Sequence, residues 1–405
     1  MITYKAYKYR IDRTSQQTEL VNKTIGCTRI VYNTLLADCK KQYEENGKSS
    51  VKTPVSLKKE FEWLKEVDSL ALCNAQINLK TAYSKFFQKK ARFPKFHSKK
   101  NNRQSYTTNS VNESIRIEKG GLKLPKLGIV KTVFHRYCYG KIKSATISRT
   151  KSGKYFVSIL VEQKRPQIIE STFNNKTLGI DMSFHGDFAV YSDGTKTKFP
   201  NYYLKSLKKL EILNRKFAKT KMDSRKHKKL RLRIARVYEK ISNQLKDWHE
   251  KESLRLAKNF DVICVEDLNL QNMSKMNHGK KVLNNGFGNF RTLLERKTKE
   301  HLHDFVKADK WFPSSQICSV CGFRNPITKD LSVLNYVCPE CGTVHNRDVN
   351  ASRNLKKYGE IIVATTNLTP KKSACGGCCK TCKEVRCTFI QASSDEASEV
   401  VVRCS

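Results

Sequence analysis

Cys318-Ser-Val-Cys321, Cys338-Pro-Glu-Cys341 and, close behind, His345-Asn-Arg-Asp348 form the stretch from which the rest of this chain can be read. Sixteen residues separate Cys321 from Cys338. Each CxxC knuckle offers two thiolates, and two hairpins at this spacing close a tetrahedral site. Cys318, Cys321, Cys338 and Cys341 are therefore the expected ligands of one structural zinc ion in a zinc ribbon. With four thiols filling that site, His345 is expected to face solvent. Asp348 stands at the start of a predicted helix, seven residues after Cys341. The helix dipole alone would favour a carboxylate there. A chemical role has to come from its company, and two further isolated carboxylates, Asp181 and Glu266, lie upstream at strand-like positions.

Charge is the second strong signal. The 405 residues include 78 Lys+Arg against 37 Asp+Glu, a formal net charge of +41. Such a chain repels itself unless it meets a polyanion, and phosphate neutralisation with counterion release makes nucleic acid the natural partner. No lipidation motif and no run of ~20 apolar residues accompanies the charge, so no membrane partner is expected. The first ten residues lack an apolar core, which argues against a signal peptide. The fifteen Cys are thus expected in a reducing compartment, where paired CxxC motifs favour metal over disulfide. Cys27, Cys39, Cys73, Cys138 and Cys264 are scattered and read as small core or surface residues. Cys375, Cys378, Cys379, Cys382 and Cys387 lack a clean second knuckle pair, and no second zinc site is assigned to them.

The pattern along the chain is that of an α+β multidomain protein. Residues 4–11 alternate like a strand. From Thr14 to Phe87 the periodicity is helical, with Val31, Leu35, Leu36 and Cys39 on one course and Leu72, Ala75, Leu79 and Ala82 on another. Residues 88–105 are basic and turn-rich. Short strands with Gly turns follow over 106–165, suggesting a small barrel or sandwich. A new domain opens near Asn175 with the apolar strand Thr177–Met182. Residues 203–256 read as one long basic helix with Leu204, Leu207, Leu210 and Leu213 on one face. Asp261–Glu266 has the nearly continuous apolar character of a strand buried on both faces. A Gly/Asn-rich loop over 268–289, a helix Phe290–Val306 and a last helix Val349–Tyr358 complete the pattern, and 359–405 show no clear period.

This order resembles an RNase H-like core, in which acidic residues on neighbouring strands and on the last helix converge at one sheet edge. Asp181 would come from the first strand, Glu266 from its neighbour and Asp348 from the helix. Phosphodiester hydrolysis with two Mg2+ ions ~3.5–4 Å apart needs several carboxylates together, and Mg2+ takes few protein oxygens, so three suffice. Without metal, three clustered anions would raise one another's pKa. Strand alternation puts Glu266 and Asp267 on opposite faces, and periodicity does not say which of them faces the site. Asp187 and Asp193 read as turn residues.

Several motifs together resemble the TnpB family of transposon-encoded RNA-guided DNA endonucleases, relatives of compact type V CRISPR effectors. They are Tyr-Lys-Tyr-Arg-Ile near the start, Gly26-Cys-Thr-Arg-Ile-Val-Tyr-Asn33, Phe93-Pro-Lys-Phe, Leu178-Gly-Ile-Asp181, Val265-Glu266-Asp-Leu-Asn269, Pro313-Ser-Ser-Gln-Ile-Cys318-Ser-Val-Cys321-Gly and Asn346-Arg-Asp348-Val-Asn-Ala351. The likeness spans roughly residues 4–380. It implies a RuvC-like nuclease domain with Asp181, Glu266 and Asp348 as the catalytic, Mg2+-binding triad, which selects Glu266 over Asp267. The domains expected are a wedge-like β-barrel (1–13 and 104–172) and a helical recognition part with basic linker (14–103). The RuvC-like domain (173–312 and 345–360), the zinc ribbon (313–344) and a poorly ordered tail (361–405) complete the chain. The implied partners are a guide RNA from the transposon end and double-stranded target DNA, met by a monomer in the cytoplasm of a prokaryotic cell. The protein would read a short motif beside the target and base pairing would read the rest. A CRISPR-associated nuclease of the same architecture and a nuclease-inactive RNA-guided repressor are the alternative readings. A strand-joining transposase would need a separate nucleophile, and none is identifiable. Arg10-Ile-Asp-Arg-Thr lacks the Pro often found after this strand in the family.

Further nucleic-acid contacts follow from residue type. The basic stretch 203–250 suits a groove for the guide–target heteroduplex. Asn74, Gln76 and Lys80, at helical spacing, carry groups able to read adenine and guanine edges, and the resemblance puts motif reading on this part of the chain. Arg92 and Lys95, beside Phe93 and Phe96, suit RNA bound by charge and stacking.

Overall fold

A computed structural model of the chain describes residues 2–100, 104–164, 176–183, 187–273, 284–330 and 332–368. The tail cysteines from Cys375 onward lie outside these residues, as does the expected poorly ordered tail beyond residue 368; its first part, 361–368, is helical.

Two sheets organise the molecule. The first is built on β1 (Ile2–Asp12), whose Tyr7, Tyr9 and Ile11 alternate into the core while Lys8 and Arg10 face out. Its other strands are β2 (Gln104–Asn109), β3 (Arg116–Glu118), β4 (Gly121–Leu124), β5 (Gly128–Val133), β6 (Lys141–Arg149) and β7 (Tyr155–Lys164). They run antiparallel in the order β2-β6-β7-β1-β5-β4-β3. Among the described residues no pairing joins the edge strands β2 and β3, so the sheet is a half-barrel where a small barrel or sandwich was expected. Its edge strand β2 packs against helices α1 (Ser15–Asn46) and α3 (Ser69–Phe87). Val21, Ile25 and Ala71 of those helices join the sheet's core. Helices, not a closing strand, complete the apolar interior.

The helical stretch is three helices where the sequence pattern ran on as one. α1 starts at a capping box in which the Thr14 hydroxyl accepts from Gln17 N–H and the Gln17 side chain returns to Thr14 N–H. It ends where Gly47 takes φ +64°. α2 (Pro54–Glu60) begins on a proline that needs no intrahelical donor. Leu35, Leu36, Leu64, Leu72 and Leu79 are buried between α1 and α3. Residues 91–98 lie along these helices and do not form a free linker: Pro94 is buried, the His97 and Tyr32 rings stack at 3.9 Å, and Asn33 bonds both backbone groups of His97.

The second sheet has the order β10-β9-β8-β11-β12. β8 (Thr177–Asp181), β9 (Asp187–Tyr191) and β10 (Lys196–Lys198) are antiparallel, while β11 (Val262–Glu266) and β12 (Asp304–Ala308) run parallel to β8. α5 (Arg225–Asn259) and α6 (Phe287–Glu300) cover one face through Leu256, Phe287, Phe290 and Leu294. α7 (Arg347–Leu368) covers the other through Leu355. The expected long basic helix is a hairpin of α4 (Tyr202–Ala218) and α5, because Asp223 turns at φ +62° and Ser224 caps α5 through His227 N–H. The expected helix Phe290–Val306 stops at Glu300, where Leu302 takes φ +62°, and Asp304–Ala308 continues as the edge strand β12. The last helix also extends past Tyr358 to Leu368. An ion pair of 3.0 Å between Lys154 and Glu239 ties the first sheet's β6–β7 turn to α5. Among the described residues no helix is long and apolar enough to cross a membrane.

Candidate active site and thiol cluster

Strand alternation chooses the face on which the carboxylates stand. Leu178 and Ile180 of β8, with Ile263 and Val265 of β11, enter the core shared with α5 and α6. Gly179, Asp181, Cys264 and Glu266 therefore face α7. Parallel pairing of Ile180 with Val265 brings the next residues, Asp181 and Glu266, to the same sheet edge. Asp267 points the other way and pairs with Arg291 at 2.9 Å. Asp193 accepts from the Thr195 N–H and hydroxyl at the hairpin tip, as a turn residue does.

α7 reaches this edge because Gly179 has no side chain. A Cβ there would stand 1.9 Å from the Ser352 carbonyl oxygen, so helix backbone lies directly on strand backbone. Asn346 caps α7, its side-chain oxygen accepting from Val349 N–H at 3.3 Å. Asp348 sits in the first turn, where the helix dipole favours it.

Asp181 feels the other two carboxylates. Burial first, then the charges of Glu266 and Asp348, push the Asp181 carboxyl well above the ordinary range, and Arg347 opposes the shift. Burial also raises Glu266, opposed by a hydrogen bond from the Ser314 hydroxyl to Oε1. Arg347 is buried, 3.5 Å from Asp348, and donates to the Asp330 carbonyl at 3.2 Å. It is the standing counter-charge of the cluster. The carboxylates have not closed to coordination distance, however. The only set of three or more metal-ligating side chains within 4.8 Å of one another, among the described residues, is made of thiols.

That set is Cys318, Cys321, Cys338 and Cys341. Sγ atoms lie 3.7 Å apart in the pairs Cys318–Cys341 and Cys321–Cys338. Zn–S bonds of ~2.3 Å at tetrahedral angles give a sulfur–sulfur edge of about 3.8 Å, so the donor set fits zinc. The Thr343 hydroxyl, 3.2 Å from Cys341, draws that thiol down to about 6. His345 is not at the surface as expected: it is 2% exposed, with Nε2 3.0 Å from Cys318 Sγ. Four thiols leave no need for a fifth ligand, and the imidazole packs beside the buried Cys318 sulfur as a neighbour of the ligand set.

Three side chains on one face of α7 hold the first knuckle. The Asn350 amide donates to the Ile317 carbonyl at 2.7 Å and accepts from Ser319 N–H at 2.8 Å. Asn354 donates to the Ser314 and Ile317 carbonyls at 2.8 and 2.6 Å, and Lys357 to the Ser319 carbonyl at 2.6 Å. The sequence reading missed Ser314, Arg347, Asn350 and Asn354. Ser314 lies inside the Pro313-Ser-Ser-Gln motif and Arg347 and Asn350 inside Asn346-Arg-Asp-Val-Asn-Ala351, while Asn354 lies in no quoted motif.

The residues proposed to read nucleic acid are not brought together. Gln76 is buried, and its amide is spent on the Val51 and Lys52 carbonyls at 3.3 and 2.8 Å, so it faces the helical core and is unavailable to a base edge. Asn74 lines a cavity of ≈ 550 Å³ between α1, α3 and β2, with Arg29, Asn78, His97, Ser105 and Thr107. None of the cavity's lining residues belongs to the carboxylate cluster. Lys80, Arg92 and Lys95 are exposed. Lys40 lies over the Phe96 ring at 4.7 Å, so that ring already has a cation on one face.

Residues 158–277 match the family model described as "Probable transposase", and residues 287–355 match "Cas12f1-like, TNB domain". Residues 1–48 match "Helix-turn-helix domain", although residues 2–46 fold here as a strand and one helix. These matches define the class: a transposase-like protein carrying a Cas12f1-like domain. A "Putative RNA-guided DNA endonuclease" of Streptomyces pristinaespiralis is 30% identical over 88% of this chain and 89% of its own length. "Putative RNA-guided DNA endonuclease InsQ" of Escherichia coli (strain K12) is 27% identical over 89% of this chain and 93% of its own. The chain belongs to the TnpB family of RNA-guided DNA endonucleases. The Cas12f1 chain of a solved complex with sgRNA and target DNA aligns over 87% of this chain and 99% of its own, at 14% identity and TM-score 0.35, a likeness too loose to argue from.

Proposed function

We propose that this protein, guided by a transposon-end RNA, cuts double-stranded DNA beside a short adjacent motif, using Asp181, Glu266 and Asp348 in an RNase H-like domain interrupted by a zinc ribbon. One observation carries the reading: carboxylates from two neighbouring parallel strands and from the first turn of α7 meet at one sheet edge, near enough for Glu266 and Asp348 to raise the Asp181 carboxyl. The strand order, with three antiparallel strands and then two parallel to the first, supports the RNase H-like assignment. The open sheet at residues 2–12 and 104–164 takes the wedge role, the helices of 15–87 the recognition role, and the cavity holding Asn74 is a candidate place for motif reading.

The donor chemistry fits Mg2+: hard, clustered, half-buried carboxylates whose charge a cation would relieve. Bound there, Mg2+ would activate a water and stabilise the leaving 3′ oxygen. The chain's own part is to hold three anions together in advance. Arg347 offsets their repulsion, α7 fixes Asp348 against β8, and the Ser314 hydroxyl occupies one oxygen of Glu266 and leaves the other available. A single carboxylate site acting on two strands would take them in succession. The test is cleavage of target DNA by the protein purified with its RNA. Cutting is expected to require Mg2+ and to fall about a hundredfold or more in D181A, with target binding retained. Cutting that is indifferent to Mg2+, or equal in D181A, sinks the reading.

A further inference from the structure

The segment between β12 and the first knuckle is short, and one of its residues joins two parts of the molecule, β11 and α7. Glu266 ends β11 beside Ala308, the last residue of β12. Six residues later, the Ser314 hydroxyl donates back to Glu266 Oε1. The Ser314 carbonyl accepts from Asn354 of α7 at 2.8 Å, and the same amide reaches Ile317, next to the ligand Cys318. Ser314 is 3% exposed and Asn354 4%. A hydroxyl in that position has little rotational freedom: its backbone is pinned from α7, and Phe312, two residues earlier, packs its ring on Tyr358 at 4.8 Å.

A glutamate side chain has three rotatable bonds and would otherwise sweep a wide arc at the strand end. Held through one oxygen, it presents the other in one direction. The donor is neutral, so it fixes orientation without competing for the site as a cation would. It is also anchored to the helix that bears Asp348, so both carboxylates are set by one frame.

We propose that Ser314 is the positioning residue of Glu266, and that Asn354 couples this position to the thiol cluster through the backbone of 314–317. This rests on the nuclease reading above and names a device within it. On this view the thiol module sets the aim of a carboxylate as well as folding a hairpin.

The test uses the protein–RNA complex carrying S314A, S314T, N354A or D181A. Four quantities are read: Mn2+ binding by electron paramagnetic resonance, the Mg2+ concentration for half-maximal cleavage, zinc content and target-DNA binding. Loss of a hydrogen bond to a charged group predicts that S314A weakens Mn2+ binding and raises the Mg2+ requirement roughly ten- to hundredfold. S314T, which keeps the hydroxyl, should restore most of both. Zinc content and target binding should match wild type in S314A, which separates positioning from folding. N354A should shift the Mg2+ requirement in the same direction. If S314A equals wild type in Mn2+ binding and Mg2+ requirement while D181A is inactive, the positioning role is wrong and the nuclease reading stands. If S314T is as impaired as S314A, the hydroxyl is not the cause and the proposal is overturned. If D181A cuts like wild type, the nuclease reading fails and this proposal fails with it.

Discussion

At the scale of single residues, the candidate site is a problem of charge before it is a device for chemistry. Asp181 and Glu266 are both raised, chiefly by burial. Their protonated forms therefore suit the folded protein better than the charged ones. The sign follows by linkage: this stabilisation is whole below the ordinary carboxylate pKa and is lost as pH rises through the raised values. In Mg2+-free buffer, the melting temperature should fall as pH climbs from about 4 toward neutrality. D181N should flatten that slope, and added Mg2+ should recover the loss at neutral pH; thermal melts across pH with and without Mg2+ check this. A D181N profile as steep as wild type would mean that the burden lies elsewhere. Asp181 and Asp348 stand out in the sequence as carboxylates at a strand end and a helix start, whereas only the family resemblance selects Glu266 over its neighbour Asp267. Ser314 and Arg347 do not stand out, since a serine in a loop and an arginine beside an aspartate are ordinary until residues far apart in the chain are seen in contact. The burial of His345 was hidden for a related reason: counting ligands says nothing about which side chains pack beside them.

At the scale of elements, the crossing of α7 over β8 brings helix backbone directly onto strand backbone. G179A would drive a Cβ into the Ser352 carbonyl and the Lys356 backbone nitrogen. Neither can swing aside as a flexible side chain would. A loss of about 3 kcal/mol or more is expected, measured by denaturant unfolding, together with a loss of cleavage exceeding that of G26A, whose added Cβ meets nothing within 4 Å. Strands β1, β6 and β7 were legible because period-two alternation is a local signal, and β8 and β11 because a short continuous apolar run is one too. The hairpin of α4 and α5 was not, because Lys219–Ser224 carries neither Pro nor Gly and the break is made by Asp223 in a left-handed turn. β12 was absorbed into a helix for the same reason: Leu302, not a glycine, makes the turn before it. Gln76 looked like a base reader because helical spacing shows which residues share a face, but not that this face was already occupied by the carbonyls of Val51 and Lys52.

At the scale of the whole molecule, charge dominates. A net +41 implies RNA binding that weakens steeply with salt. If six or more phosphates are neutralised, affinity should fall on the order of a thousandfold between 50 and 200 mM salt. Arg233, Arg236 and Lys240 lie on the exposed side of α5. Replacing the two arginines by glutamine should lower the magnitude of the log–log slope by about one to two; binding titrations at several salt concentrations would show it, and an unchanged slope would remove this face of α5 from the interface. The order of the parts along the chain has a different consequence, one of timing. Residues 2–164 complete the strands of the first sheet and 177–308 those of the second, so a chain still on the ribosome has its basic helices and the strands of both sheets synthesised before Asp348 is made. Its thiol ligands, too, emerge just ahead of that last carboxylate. On the nuclease reading, a product that stops short of residue 347 can grip nucleic acid but lacks the means to cut it, and would occupy guide RNA in competition with the full-length protein.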